Sequence, residues 1–190
     1  MPFVDDLISR LPYVFGSEVD YLKELGKTLT NKSKILMLGI GPGQMALLLH
    51  TSAEDNIPIY QVNADGLKRL FEFHAVDNSD VSSYVKHMEA VGFIPGVIWQ
   101  GNTSDLYSRF YNEYFDLLIV DACHQYACVR EDIINYWPKL RNGGIALFHD
   151  YVKLEDDNGV EQAINELKTD EWEEIAQVGI SIVFRKVKHA

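Results

Sequence analysis

The chain has 190 residues, 47% apolar and 24% charged, and its 28 acids outweigh 17 strong bases to give a formal net charge of -11. That is the composition of one soluble globular domain, long enough to bury roughly 70% of the surface its unfolded form would expose without disulfides or a structural metal. Lys and Arg cluster no further than pairs such as Lys68-Arg69 and Arg185-Lys186. A phosphate-backbone binder has to replace counterions with clustered positive charge, so nucleic acid is not an expected partner.

Residues 1–30 read as one or two helices, because Leu7, Leu11, Tyr21, Leu22, Leu25 and Leu29 recur at helical spacing among polar residues; the segment suits a cover or an interface. Oligomeric state stays open, and a homo-oligomer is compatible with that reading. Lys34-Ile-Leu-Met-Leu38 is a short apolar run ending in glycines, the mark of a strand buried on both faces. Gln44 to His50 follows as a helix of strong formers. Between Thr51 and Val76 two readings compete for the second strand. The preferred one takes Leu70 to Val76, with Asp77-Asn-Ser-Asp80 capping a helix through Ala90 and the preceding residues forming an insertion. The other takes Ile57 to Val62.

Beyond that point the alternation is clearer. Gly96 to Gln100 is a strand, Asp105 to Tyr111 a short helix and Phe115 to Val120 a buried strand. Cys128 to Tyr136 is a helix with Val129, Ile133 and Ile134 inward, stopped near Pro138. Asn142-Gly143-Gly144 is expected to turn the chain into a strand at Ile145 to Phe148. Gly159 to Leu167 forms a helix and Ile180 to Phe184 a last strand. Strands alternating with helices predict an α/β fold with a parallel sheet covered on both faces, in one domain spanning residues 1–190.

Cys123 and Cys128 are too few for a four-ligand zinc cluster and do not form a secreted disulfide framework, so a reducing compartment is expected. The start, MPFVDDLISRLPYVF, carries acids where a signal peptide carries bases. No stretch reaches the ~20 consecutive apolar residues of a membrane span. The expected setting is the cytoplasm, with no membrane partner.

Open α/β sheets bind ligands at the carboxyl ends of their strands, so the residues after Leu38, Val76, Gln100, Val120 and Phe148 carry the chemistry. Gly39-Ile-Gly-Pro-Gly-Gln44 lets a ligand approach the backbone closely. A dinucleotide fingerprint starting at Gly39 needs glycine where Gln44 stands, and Pro42 removes an N–H from a pyrophosphate cradle. A nicotinamide-dependent oxidoreductase is therefore disfavoured.

The loop resembles the G-x-G-x-G loop of class I S-adenosylmethionine-dependent methyltransferases, and the resemblance runs from about Lys34 to Arg185. Phe115 to Tyr126, the Asn142-Gly-Gly segment, Phe148-His-Asp-Tyr151 and Gly159 to Leu167 are similar to the small-molecule O-methyltransferase type. The resemblance implies a three-layer Rossmann-like fold with a mostly parallel seven-stranded sheet, helices on both faces, S-adenosylmethionine as cofactor and a small-molecule acceptor. It implies cofactor contacts from Gly39, Ile40, Gly41, Gly43, Gln44, Asp77, Asn78, Gly101, Asn102, Thr103 and Asp121. Asp77, or else the Asn63–Asp65 region, would meet the ribose hydroxyls, and Gly101 to Thr103 the adenine edge. Asp121 and Asp150 stand where metal-dependent members hold Mg²⁺, which favours oxygen donors. His124 stands at the place of the general base, with Asp121 beside it, and His149 or Tyr151 could complete the site.

Two positions depart from the family pattern. Met37 replaces an acid that helps hold the methionine ammonium group, a charge Asp121 could supply, and Tyr151 replaces the Asn that follows the second carboxylate. They keep open a non-catalytic adenosyl-ligand-binding protein of the same fold. Plainer readings also stand: a tight turn for the glycines, a helix cap for Asp77, solvated strand-end acids for Asp121 and Asp150, and backbone-satisfied imidazoles for His124 and His149. Tyr107, Phe110, Tyr111, Tyr114 and Phe115 read as core and rim. Asp170, Glu171, Glu173 and Glu174 read as a solvated turn and helix face.

Overall fold

The computed structural model describes residues 2–11, 14, 16–54, 56–57, 61–152 and 159–188. The elements run α1 (Pro2–Ser9), α2 (Ser17–Thr28), β1 (Lys34–Leu38), α3 (Gln44–Ala53), β2 (Gln61–Val62), β3 (Lys68–Arg69), β4 (Glu72–Asp77), α4 (Ser82–Ala90), β5 (Val97–Gln100), α5 (Thr103–Leu106), β6 (Phe115–Val120), α6 (Tyr126–Tyr136), β7 (Leu140–Phe148), α7 (Gly159–Leu167), β8 (Trp172–Val178) and β9 (Ser181–Lys186). Seven strands form one sheet in the order β5-β4-β1-β6-β7-β9-β8. β5, β4, β1, β6 and β7 are mutually parallel, and β9 runs antiparallel between β7 and β8. This is the Rossmann-like methyltransferase architecture that the resemblance implies.

Alternation along the strands splits the core into two layers, because successive side chains leave a strand on opposite faces. Ile35, Met37, Leu117, Ile119, Leu147 and Val183 pack with α2, α3 and α4. Leu36, Leu38, Leu118, Val120, Phe148 and Phe184 pack with α6 and α7. A strand buried on both faces reads as an unbroken apolar run, which is why β1 and β6 are visible in the sequence. Among the described residues, no helix is long and apolar enough to cross a membrane.

The second strand of the sheet is β4, the preferred reading; Gln61–Val62 instead pairs antiparallel with Lys68–Arg69 in a separate two-stranded ribbon. Four expectations need correction. Asn142-Gly143-Gly144 is not a turn before a strand but a bulge within β7: the pairing jumps from Phe115–Leu140 to Leu117–Ile145, and Gly143 takes a φ of 75°. Glu173 and Glu174 lie in a strand, β8, not on a helix face. Ile134 points outward at 47% exposure, because Val129 and Ile133 already fill the buried stripe of α6. Within the expected capping segment Asp77–Asp80 it is Asp80 that meets the first turn of α4, accepting from the Ser82 N–H at 2.9 Å, while the plainer reading of Asp77 itself as the cap does not hold.

Candidate active site

The strand order reverses between β1 and β6, and a cleft opens at the carboxyl ends there. Backbone bonds carry the sheet's register one residue past each strand: Gly39 N to Val76 O and Asp121 N to Leu38 O at 2.8 Å, Gly101 N to Asp77 O at 2.9 Å, and His149 N to Val120 O at 3.1 Å. The first residue of the loops after β1, β5, β6 and β7 is thereby fixed by the sheet. Gly39 is required on two counts, a φ of 74° and a Cβ that would stand 2.6 Å from Ala122 Cα.

Two cavities occupy this edge. The larger, about 580 Å³, is lined by Gly39, Gly41, Asp77, Asn78, Gly101, Asn102, Thr103 and Asp121 among others. The smaller, about 190 Å³, is lined by Val14, Met37, Ile40, Gly41, Pro42, Gln44, Met45, Asp121, Ala122 and His124. Gly41, Asp121 and Ala122 belong to both walls. Gly43 and Asp150 line neither. The Asn63–Asp65 turn is not part of the large cleft; Asn63 Oδ1 accepts from the N–H groups of Asp65 and Leu67 in its own ribbon.

Asp77 is buried, and its carboxylate holds the glycine loop. Oδ2 accepts from Ile40 N at 2.7 Å and Gly41 N at 3.3 Å, while Oδ1 accepts from the Ser79 N–H and hydroxyl at 2.7 and 2.6 Å. Burial alone would raise its pKa, but these donors outweigh it and hold the carboxyl below its ordinary value. Asn78 Nδ2 donates to Asn102 Oδ1 at 3.0 Å, tying the loops after β4 and β5 across the cleft. Gln44 makes a different set of contacts from the one the resemblance implies. It is buried, its Oε1 accepts from Val14 N at 2.8 Å, and its Nε2 donates to Val14 O and Ile8 O at 3.1 and 3.3 Å. Gln44 thus fastens Ile8 and Val14, lines the small pocket together with Val14, and does not line the large one.

On the other side of the β1–β6 boundary lies a charged cluster. His124 Nε2 is 2.9 Å from Asp150 Oδ2 and 3.5 Å from Asp121 Oδ1. His149 Nδ1 is 3.2 Å from that Asp121 oxygen and 3.3 Å from that Asp150 oxygen. Both imidazoles are pushed up by the two carboxylates, His124 to about 9 and His149, against its burial, to about 10; Asp150 is held well below the carboxylate range by His124 and His149. Asp150 reaches the cluster from a left-handed backbone, φ 56°, which a short polar side chain tolerates. Asp121, His124 and Asp150 each offer a donor atom within 4.8 Å of the others.

Sequence reasoning missed Glu18. It is buried at the start of α2, accepts from Ser181 Oγ at 2.7 Å and stands 3.7 Å from His149 Nε2. Nothing in its local spacing signals a partner 163 residues away. Cys123 and Cys128, which the sequence reading left without a pairing, form a disulfide in the wall of the large cleft. Tyr151 packs against the apolar layer that includes Phe148 and Val160.

A family model described as a methyltransferase domain matches residues 38–151, more than half of the chain. The chain belongs to that family and is an S-adenosylmethionine-dependent methyltransferase. No curated protein matches it in sequence. Among solved structures it is similar to a Corynebacterium glutamicum protein from structural genomics, at 15% identity and a TM-score of 0.71, covering 100% of this chain and 90% of that one. It is also similar to an S-adenosylmethionine-dependent O-methyltransferase from Thermotoga maritima, at 14% identity and 0.63, covering 98% and 72%. An rRNA methylase from Streptococcus thermophilus matches at 13% identity and 0.59, covering 93% and 100%. At these identities the likeness shows the fold and leaves the acceptor to the site.

The Mg²⁺ that the fold family implies does not fit the residues present. Magnesium wants a nearly all-oxygen octahedron, and here an imidazole nitrogen of the buried His149 stands against both carboxylates, with a second from His124.

Proposed function

We propose that the enzyme transfers the methyl group of S-adenosylmethionine to an oxygen of a small-molecule acceptor seated in the smaller pocket. The observation that carries this reading is the junction of the two cavities at Gly41, Asp121 and Ala122. The adenosyl part would occupy the larger cleft, with Gly101, Asn102 and Thr103 along the adenine and Asp77 with Asn78 at the ribose. Both Asp77 oxygens already accept two hydrogen bonds each, so its first task is to shape the Gly39–Gly43 loop under the methionine end; a ribose hydroxyl would have to displace the Ser79 hydroxyl. Asp121, at the junction, supplies the negative charge that Met37 lacks.

The reaction is an in-line displacement: an acceptor oxygen bonds to the methyl carbon, the carbon–sulfur bond breaks, and its electron pair stays on sulfur as S-adenosylhomocysteine is released. Placement of the three atoms in line supplies most of the acceleration. His124, on the small pocket's wall, takes the acceptor's proton when its ring is neutral; because the two carboxylates hold its pKa at about 9, turnover should rise with pH toward that value. Its Nε2 faces the carboxylates of Asp121 and Asp150, which leaves Nδ1 as the accepting nitrogen. Asp121 and Asp150 orient the ring and stabilise the imidazolium that forms.

A small acceptor is favoured by the pocket's apolar lining of Val14, Met37, Ile40 and Met45, by the bond that fixes Val14 to Gln44 in its wall, and by the net charge of -11, which repels a polyanion. Thermal-shift titration with S-adenosylmethionine, S-adenosylhomocysteine, NAD and NADP, followed by methyl-label transfer to a panel of hydroxylated small molecules and to RNA, tests the reading. Adenosyl ligands should stabilise the protein and label should pass to a hydroxyl. Label on RNA alone would overturn the acceptor assignment, and stabilisation by NAD or NADP alone would overturn the cofactor placement.

A further inference from the structure

We infer that Cys123 and Cys128 form a thiol–disulfide exchange site for small thiols such as glutathione, and that their bond gates the adenosyl cleft. The inference rests on the placement of the adenosyl part in the larger cleft, whose wall both cysteines line. The two are bonded, with Cα atoms 5.9 Å apart, and both are half-buried, so a small thiol reaches them from the cleft. They stand only 5 residues apart in sequence. Closing so short a loop removes little chain entropy from the unfolded state, so the bond adds less to global stability than a long-range bridge would. Accessible bonds of that kind are the labile, regulatory ones, whereas structural bonds resist the glutathione pool.

What the bond holds is local. Asp121 is fixed to the sheet by its N–H, which donates to Leu38 O, and α6 is anchored from Val129 onward, with Val129 buried and its N–H donating to Gln125 O at 3.1 Å. Between those anchors, among the described residues, Ala122, Cys123 and His124 make no backbone–backbone hydrogen bond. The disulfide ties that stretch, with His124 in it, to the first turn of α6. Reduction keeps both anchors and frees the stretch between them, which loosens one wall of the cleft. In the exchange a small thiolate bonds to Cys123 Sγ, and the Cys123–Cys128 bond breaks with its electron pair on Cys128, in the first turn of α6, where the helix dipole favours a thiolate. A second small thiolate attacks the first one's sulfur in that mixed disulfide and releases Cys123. The protein gains two electrons and two protons, and the two small thiols leave as their disulfide.

The test equilibrates the full chain in glutathione buffers graded from oxidising to reducing, counts free thiols by alkylation and mass, and measures S-adenosylhomocysteine affinity in each form by calorimetric titration. The pair should pass from bonded to free within that series. Affinity should fall on the order of tenfold on reduction and return on reoxidation with glutathione disulfide. Coupling is reciprocal, so saturating S-adenosylhomocysteine should make the bond harder to reduce by the same factor. Cys123→Ser with Cys128→Ser should bind like the reduced form and ignore the buffer. A bond that survives the most reducing buffer, equal affinity in the two forms, or an affinity that still follows the buffer in the double variant would each overturn the inference. Should S-adenosylhomocysteine bind neither form, the placement of the cofactor falls and the gating with it, while the thiol count, which needs no ligand, still reports the exchange.

Discussion

The two halves of the sheet's carboxyl edge are built differently. On the β4–β5 side, Asp77 takes four hydrogen bonds from Ile40, Gly41 and Ser79, and Asn78 bonds Asn102, so its polar groups are largely satisfied before any ligand arrives. On the β6–β7 side, Asp121, His124, His149 and Asp150 crowd together at ion-pair distances, while His124 Nε2 and both His149 nitrogens lack hydrogen-bond geometry. One half is a largely finished mould, the cleft that the proposed function gives to the adenosyl part of the cofactor. The other gathers charge at ion-pair distances, where the proposed function places the acceptor and its proton. Preorganised charge at a reacting centre is worth more than the same charge in water, and its cost is carried by the folded protein.

The largest effect should come from breaking the charged half alone. Asp150→Asn keeps the residue's size and its tolerance of the left-handed backbone. We expect kcat/KM to fall on the order of 10²–10³-fold, about 3–4 kcal/mol, while S-adenosylhomocysteine affinity stays within about threefold. Steady-state kinetics beside calorimetric titration check it. A comparable loss of cofactor affinity would mean that the halves are not separable.

The halves should also part company in their response to pH. His50, buried in α3 against Phe71, Phe73 and Phe93, is pushed down by burial to about 4. The unfolded chain therefore binds its proton first as pH falls, and the stability His50 confers is present above about 6.5 and lost toward 4, by at most about 3 kcal/mol. His149 has the opposite sign: its raised folded value, about 10, gives stability that is full below about 6.5 and lost as pH rises through 10. Denaturant titrations from pH 4 to 10 should show His50→Phe flattening the acid limb and His149→Asn the alkaline limb. Unaltered limbs in the two variants would remove these residues from the pH dependence.

A smaller effect is expected on the saturated half. Asp77→Asn retains one acceptor but turns an amide N–H₂ toward donors, so S-adenosylhomocysteine should bind about tenfold more weakly, near 1.4 kcal/mol, with kcat little changed. Calorimetric titration measures it directly. Unchanged affinity would show that Ile40 and Gly41 hold the loop without the carboxylate.

What could be read from the sequence divides along similar physical lines. β1, β4 and β6 are legible because strands buried on both faces leave apolar runs, and the polar or glycine residues that end them mark the site. β8 is illegible because a register shift between Glu174 and Ala176 breaks the two-residue alternation and exposes two acids in a row. The β7 bulge at Asn142 to Gly144 imitates a turn, since both need a glycine at positive φ. Asp77, Asp121, His124 and Asp150 are locally marked by their places after strands. Glu18 and the anchoring role of Gln44 are not, because their partners lie 163 and 30 residues away, and only tertiary packing brings them together.

Gln44 offers the finest test of the contrast, because it ends the glycine loop proposed to meet the cofactor yet lines the pocket proposed for the acceptor. Gln44→Leu fills a similar volume but leaves Val14 N, Val14 O and Ile8 O without their side-chain partner. Partial rehydration of the freed segment limits the cost to about 1–2 kcal/mol, a melting temperature lower by about 3–6 °C for a chain of this length. Because Val14 and Gln44 both line the small pocket, KM for the acceptor should rise about threefold to tenfold while cofactor affinity holds. Gln44→Glu separates anchoring from bulk. Its carboxylate can still accept from Val14 N but faces the Val14 and Ile8 carbonyls, so it should be the less stable variant at neutral pH and recover in mild acid as it takes a proton. If both variants instead weakened S-adenosylhomocysteine and spared the acceptor KM, Gln44 would belong to the cofactor mould, and the line between the halves would run one residue further along the loop.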